Sequence, residues 1–134
     1  TIFLCPDAPE KCAVSSVGYQ WFDLMDQSKQ QILTKSLVAE MKLNQLIDEV
    51  KVQNNLEANK IILGGFSQGC MISLQTGIKR KDKINSIIGY SGKIIDTEHL
   101  SKNIVSRPKV IFMHGDKGRN CTNKFFSRGK RIFH

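Results

Sequence analysis

A chain of 134 residues has room for one modest domain rather than two, and 40% hydrophobic with 24% charged residues is the balance of a globular protein, not a disordered one. No apolar run approaches the roughly 18–20 residues that span a bilayer, and the four cysteines and three histidines form neither a C-x-x-C pair nor a metal-ligand cluster. The formal net charge of +8 invites a nucleic-acid partner, but residues 117–134 hold six of the 20 basic residues and none of the 12 acidic ones. The basicity belongs to a tail rather than to a surface, so no specific nucleic-acid binding is expected.

The opening residues, Thr1-Ile2-Phe3-Leu4-Cys5, carry no starting Met and no basic segment ahead of a longer apolar one, which is not the form of a signal peptide. The chain reads as one entered partway through. Thr1 to Cys5 is expected to be a short buried strand, stopped by Pro6-Asp7-Ala8-Pro9, because two prolines in four residues cannot continue a central strand. Residues 10–25 read as a long loop holding Gly18 and the aromatic residues Tyr19, Trp21 and Phe22.

The longest periodic segment follows, from Ser28 to Gln53. Ile32, Ala39, Leu43, Leu46, Ile47 and Val50 recur at spacings of three, four or seven, as one buried helix face requires, with Asp26 or Ser28 placed to cap its start. Lys60-Ile61-Ile62-Leu63-Gly64 is an apolar run without alternation, the pattern of a strand buried on both faces of a parallel sheet. Cys70 to Lys79 reads as a helix with Met71, Leu74 and Ile78 on one face. Ile84 to Tyr90 is expected to be a second strand, Lys93 to Asn103 a loop with room for a short helix, and Pro108 to Met113 a third strand. Strand, helix, strand, helix, strand in this order predicts an α/β fold with right-handed crossovers and a parallel sheet. The cysteines Cys5, Cys12, Cys70 and Cys121 are expected to be reduced, mostly buried thiols of a cytoplasmic protein.

Gly65-Phe66-Ser67-Gln68-Gly69 is a G-x-S-x-G sequence, a weak signal by itself. Here it directly follows a predicted buried strand and directly opens a predicted helix, the context of a nucleophile elbow. In such a turn the serine sits at the tip in a strained conformation with its Oγ exposed. The glycines are expected to leave room where a Cβ at either position would crowd the neighbouring strand or helix. The backbone N–H of Gln68, at the helix N-terminus, would point toward a developing oxyanion.

With its flanking residues, Ile62-Leu63-Gly64-Gly65-Phe66-Ser67-Gln68-Gly69 resembles the phospholipase/carboxylesterase family, which includes the acyl-protein thioesterases. Phe3 to Pro9 is similar to that family's strand and P-x-A-P loop, and Gly18-Tyr19-Gln20-Trp21-Phe22-Asp23 to its G-x-x-W-F stretch. Ile88 to Gly92 and Pro108 to Asp116 resemble its next two strands, so the resemblance spans residues 2 to 117 in order. It implies an α/β-hydrolase-type parallel sheet with helices on both faces, incomplete at both ends. It also implies a serine hydrolase without a cofactor, acting on carboxylic esters, lysophospholipids or acyl thioesters. Ser67 would attack the acyl carbonyl, a histidine would take its proton, and an aspartate would orient that histidine. Trp21 and Phe22 would line an acyl pocket or belong to the core.

The chain departs from the family after Lys117. The family's acid lies two residues beyond the aspartate of H-G-D, and that position here is Gly118; Asp116 corresponds to the earlier, non-catalytic aspartate. A catalytic histidine is expected downstream after a further helix and strand, but the sole downstream histidine is His134, the last residue. His99 and His114 read as structural or solvated. The second oxyanion donor would come from a loop preceding the region where this chain begins. Residues 1–117 are therefore expected to be a partial hydrolase domain and residues 118–134 a basic tail of other origin, such as a frameshift would give. Two functional readings follow: an esterase or thioesterase, and a catalytically inactive remnant of one.

Overall fold

The computed structural model describes residues 1–12, 14–25 and 28–115. A two-residue antiparallel pair comes first, β1 (Glu10–Lys11) against β2 (Tyr19–Gln20). Helix α1 (Lys29–Asn54) follows, then a 3-10 turn at Ala58–Lys60. Strand β3 (Ile62–Phe66), helix α2 (Gln68–Lys79), strand β4 (Ser86–Tyr90), helix α3 (Thr97–Lys102) and strand β5 (Lys109–Met113) complete the described chain. Strands β3, β4 and β5 pair in parallel, in sequence order, so each crossover carries one helix. The expected α/β fold with a parallel sheet is present.

The start of α1 is set by a capping box. The Ser28 hydroxyl accepts from the Gln31 N–H at 3.2 Å, and the Gln31 side chain accepts from the Ser28 N–H at 2.9 Å. The helix stops at Asn55, whose left-handed backbone (φ 49°) returns its N–H to the last carbonyls. Between these ends Ala39, Leu43 and Ile47 are buried as their spacing predicts, while Ile32, Leu46 and Val50 are half-buried. The structure adds Leu33, Ser36 and Glu40 to that face.

Helix α2 is buried continuously from Cys70 to Ile78 because it is packed on two sides. Toward the sheet, Cys70, Leu74 and Ile78 meet Ile84, Ile87 and, from α3, Leu100, with Leu63, Val110 and Phe112 closing the cluster. Toward α1, Met71 and Ile72 meet Phe22, Ala39, Leu43 and Ile47. Three buried polar side chains, Ser36 and Glu40 of α1 and Gln75 of α2, join the helices. Gln75 donates to Ser36 and to Glu40 at 3.1 Å each, and the Lys79 ammonium lies 2.6 Å from the same Glu40 oxygen. Polar groups at such positions are tolerated because each finds a partner.

Two expectations are corrected. Thr1 to Cys5 is not a buried strand: residues 1–8 belong to no element, and Ile2, Phe3, Leu4 and Cys5 are exposed. An extended segment becomes a strand only when a neighbour takes its backbone hydrogen bonds, and the three-stranded sheet ends at β3 without reaching it. Nor is β3 buried on both faces. Leu63 points to α2, but Ile62 and Phe66 point the other way and are 55% and 71% exposed. Among the described residues all three helices pack on one face of the sheet, and Ile62, Phe66, Tyr90, Ile111 and Met113 form an exposed apolar surface on the other. Strand β4, in the middle, comes nearest to the expected burial.

Candidate active site

Ser67 links the carboxyl end of β3 to the first turn of α2. Its backbone sits at φ 50°, ψ −112°, a region that residues with a Cβ rarely occupy, and it is exposed. Two hydrogen bonds hold it there: its N–H donates to the Tyr90 carbonyl at 2.8 Å, and its carbonyl accepts from the Met71 N–H at 3.1 Å. Ser67 is the N-cap residue by position, yet its side chain makes no capping bond. Its hydroxyl is not spent on the helix, and the residue is exposed.

The two motif glycines differ. A Cβ at Gly65 would stand 2.1 Å from the carbonyl carbon and 2.3 Å from the carbonyl oxygen of Gly69, so the strand and the helix meet too closely there for any side chain. At Gly69 a Cβ would meet nothing within 4 Å. The expectation that both positions are crowded holds at Gly65 and fails at Gly69, whose backbone meets the strand but whose Cβ would enter open space. Cys70 lies under the turn in space left by Gly89 and Gly92, where an added Cβ would come within 2.4 Å of its Sγ. Burial, opposed by a backbone hydrogen bond at Gly92, pushes the Cys70 thiol up to about 11. It is a protonated core residue, as expected.

Gln68 is the first residue of α2, so its backbone N–H lies where a helix offers no internal acceptor. Its side chain was not singled out by the sequence. The Gln68 carboxamide oxygen accepts from the Trp21 N–H at 3.0 Å, and its Nε2 donates to the Phe22 carbonyl at 2.7 Å. Partners 46 and 47 residues apart leave no local pattern from which to read this. Of the aromatic pair, Phe22 is fully buried between α1 and α2, which assigns it to the core; Trp21 is half-buried beside it. Asp23, next along, pairs with Lys35 of α1 at 3.6 Å.

The sheet register brings the strand ends level. Phe66, Tyr90 and Met113 are in line across β3, β4 and β5, and Ser67, Ser91 and His114 follow them. His114 is thus two strand spacings from Ser67, about 10 Å between backbones. His99 lies on α3, where its N–H donates to the Asp96 carboxylate at 2.9 Å, and Asp96 also pairs with Lys29 at 3.2 Å. The backbone bond from His99, with Lys29 beside it, lowers the Asp96 carboxyl below the usual range. Asp116, Gly118, Cys121, His134 and the tail 118–134 lie outside the described residues. Among the described residues no group of three or more His, Cys, Asp or Glu is placed to hold a metal ion, and no helix is long and apolar enough to cross a membrane. A polar cleft of about 330 Å³ lined by Lys51, Asn59, Asp82 and Lys83 lies at the opposite, amino end of the strands.

The family model for phospholipase/carboxylesterase matches residues 1–120. The chain belongs to the phospholipase/carboxylesterase family. It is 32% identical to acyl-protein thioesterase 1 of Yarrowia lipolytica over 122 residues, 84% of this chain and 53% of that protein. It is 27% identical to acyl-protein thioesterase 1 homolog 1 of Dictyostelium discoideum, over 85% of this chain and 54% of that one. Among solved structures, esterase PE8 superposes with a TM-score of 0.77 and 35% identity, covering 83% of this chain and 53% of its own. The chain spans about half the length of these relatives.

Proposed function

We propose that Ser67 is the nucleophile of a serine hydrolase that cleaves acyl esters or acyl thioesters. The observation that carries this is the backbone of Ser67, held at positive φ at a strand end with its hydroxyl uncommitted and its neighbour Gly65 in steric need of having no side chain. A fold keeps such strain where a reacting group must project. Ser67 Oγ adds to the acyl carbonyl as a histidine takes its proton. The tetrahedral oxyanion is received by the Gln68 N–H, the alcohol or thiol leaves with the proton, and water then releases the acid by the same steps. Trp21 stands beside the acyl group. No cofactor enters this chemistry. The thioesterase and esterase names of the relatives support small acyl esters, lysophospholipids or S-acylated proteins as the substrate class. Residues 1–117 form the hydrolase part and residues 118–134 a basic tail. The free thiols Cys5, Cys12 and Cys70 support a cytoplasmic setting.

A second reading, an inactive remnant, is favoured by one residue: Gly118 stands where the family's acid is expected. In hydrolases of this logic the loss of triad members costs about 10⁶ in kcat. Labelling by a fluorophosphonate separates the two. Rapid modification that disappears in Ser67→Ala supports the hydrolase; a folded chain that stays unmodified supports the remnant.

A further inference from the structure

The Gln68 side chain has a task that its proposed backbone role does not explain. A carboxamide at the first position of a helix is ordinarily solvated. This one is half-buried and uses both ends: its oxygen accepts from the Trp21 N–H, and its nitrogen donates to the Phe22 carbonyl. The segment it grips is also held in the core by the Phe22 ring, with Trp21 packed against the same cluster, and on the surface by the Asp23–Lys35 pair. Between β2 and α1 that segment has no helix or strand of its own. A backbone donor on Trp21 and a backbone acceptor on the next residue, Phe22, match a primary amide in one orientation; a carboxylate or an alkyl chain of the same length cannot satisfy both.

We propose that the Gln68 side chain is a positioning group that latches the Trp21–Phe22 segment to the first turn of the nucleophile helix. The indole and the peptide N–H that follows Ser67 are thereby held as one unit, so that Gln68 determines where the acyl chain lies relative to the attacked carbonyl. The catalytic consequence rests on the reading of Ser67 as nucleophile; the latch itself does not.

Trp21 is the single tryptophan of the chain, so its fluorescence reads the segment directly and without substrate. Gln68→Glu keeps the acceptor for the Trp21 N–H but sets a carboxylate oxygen against the Phe22 carbonyl near neutral pH; protonation restores a donor. The loss of one hydrogen bond raises the open fraction of the segment about fivefold. Gln68→Glu is expected to show red-shifted Trp21 emission and faster acrylamide quenching than the unaltered chain at pH 7. Both differences should shrink as the pH falls through the glutamate range near about 4.3. Gln68→Ala is expected to show them at every pH, with an unchanged far-UV circular dichroism spectrum. Emission and quenching in Gln68→Ala equal to those of the unaltered chain would overturn the latch. Should Gln68→Ala not fold, a Gln68→Glu signal that differs from the unaltered chain by the same amount at pH 7 and pH 4 would overturn it. Fluorophosphonate labelling of the same samples reads Ser67 separately, so the failure of one claim does not imitate the failure of the other.

Discussion

An added Cβ at Gly65 would meet the backbone of Gly69, which cannot move without shifting helix α2, whereas at Gly69 it would meet open space. Gly65→Ala is therefore expected to destabilise the chain by about 3 kcal/mol, the cost of overpacking two backbones. Gly69→Ala is expected to be neutral or to stabilise by up to about 1 kcal/mol through helix propensity. Urea midpoints of the two variants measure the contrast, and equal losses would mean that the turn is strained in some other way. Ser67 and Gly65 were legible in the sequence because a strand, a tight turn and a helix leave their marks within a few neighbouring residues. The freedom at Gly69 was not, since a motif records spacing and not what each position faces. The Gln68 latch was not legible either, because both its partners come from a distant loop.

At the scale of elements, the fold rests on how α1 and α2 are tied. Glu40 is almost fully buried and serves both Gln75 and Lys79. Its removal in Glu40→Ala leaves an ammonium and an amide without their partner, at an expected cost of about 3 kcal/mol. Glu40→Gln, which keeps the acceptor, should lose less; thermal denaturation of the pair tests this. A second tie lies at the far end of the helices. Arg80 donates to Asp82, Asp48 and Asn44, and Lys51 also reaches Asp82. The Arg80 hydrogen bonds, with Lys51 beside them and against the opposing effect of burial, hold the Asp82 carboxyl down to about 2. A folded carboxyl lower than its unfolded value near 3.8 contributes stability that is complete above that value and is lost as the pH falls toward about 2. Because Asp82 is partly exposed, the contribution is about 1 kcal/mol after screening. Asp82→Asn should remove that part of the acid limb from a plot of urea midpoint against pH, and an unchanged acid limb would show that the tie adds no stability. Helix α1 was legible from its apolar period, but Ser36 and Glu40 were not, because a hydrophobic pattern does not count buried polar residues that find partners on another helix.

At the scale of the molecule, among the described residues, three parallel strands carry helices on one face, and the other face shows Ile62, Phe66, Tyr90, Ile111 and Met113 to solvent. Among the described residues, strand β3 also ends the sheet with an unpaired edge. Apolar area and a free edge together favour self-association. The isolated chain is expected to sediment as oligomers or aggregates and to bind a dye such as ANS, and a monomer with a cooperative thermal transition would refute this. The order of the strands and their parallel sense were legible in the sequence, because continuous apolar runs separated by a helix permit little else. Which faces they bury was not, since a run of apolar residues reads the same in a covered strand as in one that is open on a side. Through all three scales the sheet, the helix and the turn converge on a single hydroxyl at the carboxyl end of β3. The most direct measurement is mass-spectrometric mapping of the fluorophosphonate adduct on the folded chain and on Ser67→Ala. The expected result is one adduct, on the peptide containing Ser67, and none in the variant. An adduct that persists in Ser67→Ala, or a folded chain that takes up no probe, would contradict the assignment of Ser67 as the nucleophile.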